Sequence, residues 1–525
     1  MSFTKTTKIF LGGIVVIAIY LGLIIVCIPI YIYRFVISLC VKCFYKNKFG
    51  NIVSPYSTPM AIELIPSNNV YPTRTAICVQ CVVDGKITVE EVEEAINRRW
   101  LGNNSSYPEL KQYVVPFMGF MFWKSDPNFN LKNHLKSHTI TESSDENQFT
   151  AEQENSQFLE KLLNKPFNPE RSPWEFYIVN NYRNEQLKDS CIQEEMTLIV
   201  FRFHHCLADG FSILRAIVEG LMETPLTTLA LPSPKTLFGL ASLKKKMKFA
   251  LTALLRLPYD AGNAIGLAFY PKTPLYTTDE RRGCELLYER NELMPIHRIK
   301  DIKNKLGVSF SGVLLAAISA AVAKSLHKLQ SKQGGNSKDI ERTPFGIPLP
   351  IPTDSSKLKN SWTGTYLELP TKLELGSMER LQDVEKQLER AKTNANPFMA
   401  RLYWKSVGML FSNMTKHLTK NYLIPAGFSS FPGPGINISI KGKNVLMVDA
   451  LGGIHNGITG VGFMILSFGS VIRVSAMAVD GTMNKEELKE MLEYVHEEFN
   501  NLEELALSMK GQENNISEEK KRFLV

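Results

Sequence analysis

The stretch MTLIVFRFHHCLADGFSILRAIVEGL, residues 196–221, decides the fold because it joins a strand to a helix across a cluster of reactive side chains. Residues 196–203 are almost wholly apolar, which predicts a buried strand. After Asp209, apolar side chains recur on one helical face, at Ile213, Leu214, Ile217, Val218 and Leu221. Strands and helices alternate along the rest of the chain as well. The sequence therefore predicts a mixed α/β fold with a functional site at this junction.

The junction holds His204, His205, Asp209 and Gly210. A neutral imidazole can take the proton of an alcohol or amine as it attacks an acyl carbonyl. Asp209 can cap the following helix or bind a basic group behind the loop, and Gly210 permits a tight turn. Two adjacent histidines are, taken alone, more often structural than catalytic.

Other chemistries are poorly supplied by the sequence. It contains no G-x-S-x-G elbow, Walker loop or complete dinucleotide fingerprint. Adjacent histidines on a strand point to opposite sides, which disfavours joint metal ligation. Cys78 and Cys81 form a C-x-x-C within a predicted strand, but no second pair follows at zinc-site spacing. We therefore expect neither a metal nor a bound cofactor.

The charge distribution favours a membrane partner over nucleic acid. The chain has 60 Lys and Arg against 52 Asp and Glu, a net charge of +8. Residues 1–48 and 224–259 each contain six basic residues and no acidic one, so the remaining chain is mildly acidic. Nucleic-acid binders usually spread basic residues over a folded face, whereas short basic segments suit a membrane surface.

Residues 9–33 contain no charged side chain. As a helix they would extend about 37 Å, against a hydrocarbon thickness of about 30 Å, which predicts a transmembrane anchor. A signal peptide is the alternative, but the apolar character continues past Arg34 to Val41. The basic residues that follow the span outweigh those before it, which places the main body in the cytosol.

Composition and the positions of prolines and glycines predict five segments: an anchor with its basic flank (1–48), an N-terminal domain (55–223), a basic amphipathic linker (224–284), a C-terminal domain (285–509) and a polar tail (510–525). In the C-terminal domain, the prolines of residues 344–352 predict an edge or end strand. Helices are predicted at 378–394 and 399–419, and a last helix after a capping box of Asn484 and Glu487.

Several ordered motifs carry a resemblance to a known family. HHCLADG (204–210) matches the H-H-x-x-x-D-G signature of the chloramphenicol acetyltransferase-like, CoA-dependent acyltransferases. Over residues 74–500 the chain resembles, more narrowly, the wax ester synthase/diacylglycerol acyltransferase family. The similar motifs are NKPFNPERSPWEFYIVNNY (164–182), GVSFSGVLLAAISAAV (307–322), KNSWTGTYLELPT (359–371), SSFPGP (429–434) and GVGFMILSF (460–468) followed by AVD (478–480).

The resemblance implies two chloramphenicol acetyltransferase-like domains with a central tunnel. His205 would be the general base, supported by His204, Asp209 and Gly210, and Asp209 would pair with an arginine that the sequence does not identify. Acyl-CoA would be a substrate rather than a cofactor, and the acceptor would be a fatty alcohol or diacylglycerol. No covalent acyl-enzyme would form. The setting would be the endoplasmic reticulum membrane, with a single-pass anchor.

The sequence departs from the family pattern at Ser311 and Gly312, where the family usually has Asn-Asp. Any contact of those side chains must then be missing or supplied elsewhere. Two alternatives stay open: acyl transfer to another small alcohol or amine, and a catalytically silent lipid-binding or scaffolding homologue. Acceptor preference, acyl chain length and oligomeric state are not fixed by the sequence.

Overall fold

The structure is a computed structural model that describes residues 3–65, 74–102, 107–139, 151–190, 195–222, 243–277, 285–332, 340–351, 357–433, 438–454 and 457–522. Its helices are α1 (Phe3–Phe44), α2 (Thr58–Ala61), α3 (Val89–Arg99), α4 (Ala151–Asn164), α5 (Gly210–Leu221), α6 (Leu243–Gly266), α7 (Ile296–Leu306), α8 (Phe310–Lys332), α9 (Ser377–Ala391), α10 (Asn396–Gly408), α11 (Ser412–Leu418) and α12 (Lys485–Arg522).

Its strands are β1 (Ala76–Asp84), β2 (Gln112–Phe117), β3 (Phe120–Ser125), β4 (Leu135–Thr139), β5 (Trp174–Tyr182), β6 (Met196–His204), β7 (Leu286–Arg290), β8 (Met294–Pro295), β9 (Arg342–Pro350), β10 (Trp362–Pro370), β11 (Ala426–Pro432), β12 (Ser439–Ile440), β13 (Lys443–Gly452), β14 (Val461–Phe468) and β15 (Val471–Val479). Short 3₁₀ turns include Ile62–Leu64.

Two mixed sheets organise the described chain. The first has the order β12-β13-β1-β6-β5-β4, and the second has the order β10-β9-β11-β14-β15-β7, with β8 beside β15. Strand β13 comes from the predicted C-terminal domain but pairs along β1 of the first sheet, with Gln80 opposite Asp449. Residues 443–452 therefore extend the sheet of the N-terminal half. The predicted segment boundaries stay a prediction.

The first sheet is buried on both faces, which explains its nearly continuous apolar strands. Helices α3 and α5 cover one face together with the Trp100 side chain, whose Nε1 donates to the Ala216 carbonyl at 2.9 Å. A separate core on the other face lies under α4 and reaches across to β7 and β15. All five apolar positions predicted for the inner face of α5 are buried, as the sequence indicates.

The second sheet corrects one prediction. Strand β9 is not an edge strand, because it pairs with β10 on one side and with β11 on the other. Its three prolines, Pro344, Pro348 and Pro350, are separated by even numbers of residues. The backbone N–H groups that they lack would therefore all point to the same side of the strand. Strand β11 pairs with β9 only at Phe345 and Gly346, where no proline stands.

The helices of the second half mostly follow the predictions. The Asn484–Glu487 capping box opens α12, with reciprocal hydrogen bonds of 2.8 and 2.9 Å. The backbone helix continues to Arg522, so residues 510–522 of the predicted polar tail are helical. The single helix predicted at 399–419 is wrong, because the chain breaks between α10 and α11. Helix α8 is Ala-rich and buried, as expected for a core helix.

Helix α1 is long and apolar enough to cross a membrane, yet it lies along the body of the protein. Near its start, Gly13 contacts Pro258 of α6. Further on, the Tyr20 hydroxyl donates to Ser406 Oγ of α10 at 3.1 Å, and Arg34 Nη2 donates to the Val53 carbonyl at 2.7 Å. The amphipathic helix predicted in the linker is present as α6. In the basic segment 224–259, which suits a membrane surface, the side chains of Lys244, Lys245, Lys246 and Lys248 lie outside the described part, as does the chain at 223–242.

Candidate active site

The ring of His204 is buried, and both of its nitrogens have hydrogen-bond partners. Strand β6 ends at this residue, whose side chain is completely buried. Cys206 N donates to Nδ1 at 3.2 Å, so the hydrogen-bond network assigns the ring proton to Nε2. Nε2 lies 3.0 Å from Thr75 Oγ1. Burial lowers the pKa of His204, which favours the neutral ring.

Thr75 and Glu63 extend this contact into a relay that sequence reasoning missed. The Thr75 hydroxyl donates to Glu63 Oε2 at 2.8 Å, and the Thr75 backbone N–H donates to the same oxygen at 3.2 Å. Thr75 directly precedes β1, and Glu63 lies on the 3₁₀ turn Ile62–Leu64. His204 is therefore held in one tautomer by a chain of hydrogen bonds, which gives it a positioning role.

His205 is held through its backbone and leaves its ring without an intramolecular hydrogen bond in the described chain. Its N–H donates to the Thr75 carbonyl at 3.0 Å, and its carbonyl accepts from Asn360 Nδ2 at 2.6 Å. The side chain is half-buried, and Nδ1 is a buried atom with no partner among the described residues. Of the two histidine rings, that of His204 is hydrogen-bonded through both nitrogens within the described chain, whereas that of His205 is not.

Asn360 connects the two halves at this point. Its Nδ2 donates to Ser57 Oγ at 3.0 Å and also lies 3.4 Å from the Cys206 carbonyl. Its Oδ1 is buried without a partner in the described chain. Asn360 stands in the KNSWTG motif, which carried the family resemblance, but no pattern there indicated this contact. Ser57 has no sequence signal at all.

Among the described residues, the Asp209 carboxylate is held by backbone amides, and its pairing with an arginine stays a prediction. Its Oδ1 accepts from Ser212 N at 2.9 Å, which makes it the N-cap of α5. Its Oδ2 accepts from Ser361 N at 2.6 Å, and its own N–H donates to the Lys359 carbonyl at 3.1 Å. The carboxylate thus fixes the histidine loop to the segment that precedes β10.

The arginine behind the motif is Arg202, and its partner is Glu175. Arg202 Nη1 lies 3.1 Å from Glu175 Oε2, and the guanidinium stacks on Phe167 at 3.7 Å. Burial raises the pKa of Glu175, but the hydrogen bond from Lys136 and the charge of Arg202 outweigh it and lower the pKa to about 2. Phe167 in turn packs edge-on against His204, with 5.7 Å between ring centroids.

Gly210 is required by packing rather than by the tight turn that the sequence suggested. It lies in the first turn of α5 and is not among the left-handed glycines of the described residues. A Cβ at this position would lie 2.9 Å from the ring of Phe431. Phe431 belongs to β11 and to the SSFPGP motif, so the second half packs directly on the turn after the histidines.

The departure at Ser311 and Gly312 is accompanied by a carboxylate from another helix. Glu385 of α9 reaches the start of α8, where its Oε1 accepts from Ser309 N at 2.9 Å and from Ser309 Oγ at 2.6 Å. A Cβ at Gly312 would lie 1.8 Å from that oxygen. Glu385 therefore occupies the space that a side chain at position 312 would fill.

Three described cysteines, Cys78, Cys81 and Cys206, are buried. Cys78 and Cys81 lie in different cores, and burial raises the pKa of each to about 12. Burial also raises the pKa of Cys206, beside the histidines. The described residues contain no group of three or more His, Cys, Asp or Glu that could hold a metal ion.

Comparison with known proteins gives consistent matches. The family model described as "Wax ester synthase/diacylglycerol acyltransferase catalytic domain" matches residues 88–261, and the "WS/DGAT C-terminal domain" matches residues 359–503. Together they cover more than half of the chain. Wax ester synthase/diacylglycerol acyltransferase 8 of Arabidopsis thaliana is 26% identical over 210 residues, which are 37% of this chain and 41% of the plant protein.

Two solved structures share the fold. The wax ester synthase/diacylglycerol acyltransferase from Marinobacter aquaeolei superposes with a TM-score of 0.56 at 15% identity, over 87% of this chain and 100% of that one. The starter condensation domain of rhizomide synthetase, determined with C8-CoA and Leu-SNAC, gives a TM-score of 0.53 at 11% identity, over 87% of this chain and 95% of that one. The predicted fold class is confirmed.

Proposed function

The chain belongs to the wax ester synthase/diacylglycerol acyltransferase family, and from that premise we propose that it transfers a fatty acyl group from acyl-CoA to an alcohol, with His205 as the general base. The acceptor is a long-chain alcohol, which gives a wax ester, or diacylglycerol, which gives triacylglycerol. One observation carries the proposal: the His205 ring makes no hydrogen bond within the described chain, at a seam built by both halves.

The reaction proceeds by direct transfer. As the acceptor oxygen attacks the thioester carbonyl, its proton passes to the His205 ring. The carbon–sulfur bond breaks, and the CoA thiolate leaves and takes up that proton. The His205 backbone donates to the Thr75 carbonyl and accepts from the Asn360 side chain, and these two bonds hold His205 while its ring accepts the proton. His204 positions the loop, and Asp209 and Gly210 maintain its contact with the second half.

The setting follows from the acceptor and from helix α1. Fatty alcohols and diacylglycerol dissolve in membranes, and α1 is an apolar helix of which little is buried inside the protein. We place the enzyme on the endoplasmic reticulum membrane with its catalytic body in the cytosol. The predicted tunnel between the halves carries acyl-CoA to one side of His205 and the acceptor to the other.

The test is expression of the full chain and of His205→Ala in a host without neutral-lipid synthesis, fed with fatty alcohol. We expect the wild type to accumulate wax ester, triacylglycerol or both, and the variant to accumulate neither. Separation of the two lipid classes reports the acceptor. Equal ester from both proteins would refute the base, and a folded wild type that makes no ester with either acceptor would favour a silent lipid-binding homologue.

A further inference from the structure

The large apolar side chains that stay exposed in the described chain lie almost entirely on one group of adjoining elements. They belong to α1 and the residue after it, Tyr45, to the β2–β3 hairpin, to α6 and the turn after it, and to α10, α11 and Tyr422. Only Leu507 on α12 lies elsewhere. Soluble proteins rarely expose a contiguous apolar patch of more than a few hundred Å². This surface must therefore be covered in the working protein.

Helices α1 and α6 are antiparallel neighbours in contact through glycines. A Cβ at Gly13 would lie 1.5 Å from the Pro258 carbonyl oxygen, and a Cβ at Gly262 would lie 2.1 Å from the Ile9 carbonyl oxygen. Residue numbers thus rise along α1 as they fall along α6. Helix α6 therefore lies beside the uncharged stretch of α1 and turns Leu251, Leu254 and Leu255 outward.

Helix α1 follows the body over most of its length. Contacts run from Ile9 to the buried Val41, about 48 Å at 1.5 Å per residue. Helix α10 joins this contact, because Tyr20 and Tyr31 of α1 both donate to Ser406. If α1 stood across a bilayer, α6 and α10 would have to enter the hydrocarbon beside it.

The charged side chains of those helices oppose such an arrangement. Lys405 on α10 is exposed, and Arg256 on α6 is only partly buried beside Asp260, 3.5 Å away. Charged groups in the hydrocarbon cost several kcal/mol each. If α1 instead lies in the membrane plane, only the outward apolar faces need contact lipid.

We propose that α1, α6, α10 and α11 form one lipid-facing surface that lies along a single leaflet, so that the protein is monotopic and α1 does not span the membrane. The proposal takes membrane anchoring from the proposed function and specifies the surface that achieves it. The absence of acidic residues from 224–259 suits contact with anionic headgroups.

This surface adjoins the histidine site. Gly408 at the end of α10 packs so closely on Pro55 that a Cβ would lie 1.9 Å from the Pro55 carbonyl oxygen. Ser57, two residues after Pro55, accepts a hydrogen bond from Asn360 Nδ2, and the same amide group donates to the His205 carbonyl. One layer of chain thus separates the lipid-facing helices from His205. An apolar alcohol dissolved in the leaflet has a short route to the base.

The test measures depth in full-length protein reconstituted in phosphatidylcholine vesicles that contain anionic lipid. A fluorescent amino acid is placed by codon suppression at Ile14, Leu21 or Ile32, which share one face of α1, or at Leu255 of α6. Leu507 is the matched control, since it is exposed on α12. Quenching is compared between lipids that carry a nitroxide near the headgroup and lipids that carry it near the bilayer centre.

We expect the ratio of shallow to deep quenching to be the same at all three α1 positions and at Leu255, with no quenching at Leu507. A spanning α1 would spread the three positions over about 27 Å of depth, so a deep maximum at Leu21 would overturn the proposal. An unquenched Leu255 beside quenched α1 positions would also overturn it. Ester formation by the same samples reports on acyl transfer separately.

Discussion

His204 and His205 are neighbours in the chain, but their rings meet different surroundings because β6 ends between them. The buried ring of His204 contacts Thr75 through Nε2 and Cys206 through Nδ1. The ring of His205 lies past the strand end, where the backbone alone is held. The ring of His204 thus stabilises the loop, whereas the ring of His205, the proposed base, makes no such contact among the described residues.

Removal of the Thr75 hydroxyl tests the relay. Thr75→Val leaves the buried Nε2–H of His204 without the hydroxyl that joins it to Glu63, which costs about 1–3 kcal/mol of unfolding free energy. We expect a lower melting temperature and slower acyl transfer. Thr75→Ser keeps the hydroxyl and restores both. A Thr75→Val protein with wild-type stability and rate would show that the relay does not position the site.

At this scale the sequence predicts only contiguous groups. Four residues of the HHCLADG motif, His204, His205, Asp209 and Gly210, were predicted as site residues because they lie together at a strand-to-helix junction. Glu63, Thr75 and Asn360 were missed because they come from distant segments that only the sheet pairing and the contact between halves bring together. The backbone amides and carbonyl that hold Asp209 were missed for the same reason, since such groups leave no signature in a sequence.

At the scale of the elements, the carboxylate at the N-terminus of α8 is supplied by the neighbouring helix α9. Glu385 on α9 accepts hydrogen bonds from Ser309 at the N-terminus of α8, where a negative charge is stabilised by the helix dipole. The family motif would place an aspartate at position 312 of α8 itself. One carboxylate fits the space, but two do not.

A double-mutant cycle tests this exchange. Gly312→Asp alone brings a second carboxylate against Glu385 and should lower the melting temperature, because overpacking costs about 1–3 kcal/mol. Glu385→Ala alone removes the bonds to Ser309. The double variant should be more stable than the sum of the two effects, with a coupling of about 0.5–3 kcal/mol.

The control is Glu389→Ala, on the same helix at an exposed position, which should not couple to Gly312→Asp. Purely additive effects of Gly312→Asp and Glu385→Ala would mean that Glu385 does not stand in for the missing aspartate.

Element types were predicted better than their surroundings. Caps and apolar periodicity identified α5 and the start of α12. The prolines of β9 predicted a strand at the edge of the sheet. Because these prolines remove N–H groups from one side of the strand only, β10 can still pair along the other side. The break between α10 and α11 was missed because residues 399–419 contain neither proline nor an N-cap signal strong enough to oppose the helical pattern.

In the whole molecule, the two halves share both a strand and a site. Strand β13 leaves the second half to pair with β1, and the segment at Lys359–Ser361 holds the histidine loop of the first half. The sequence could not predict that β13 pairs with the first sheet, because its apolar pattern is the same as that of the other strands in the second half. The same pairing places His205 at the seam, close to the lipid-facing helices.

The central claim is that His205 is the base for acyl transfer, and the rate of ester formation by the purified full-length protein tests it most directly. With acyl-CoA and fatty alcohol, His205→Ala should lower that rate by about 10²–10⁴ at an unchanged melting temperature. His297→Ala, an exposed histidine on α7, should leave the rate unchanged. A folded His205→Ala protein that forms ester at the wild-type rate would contradict the account.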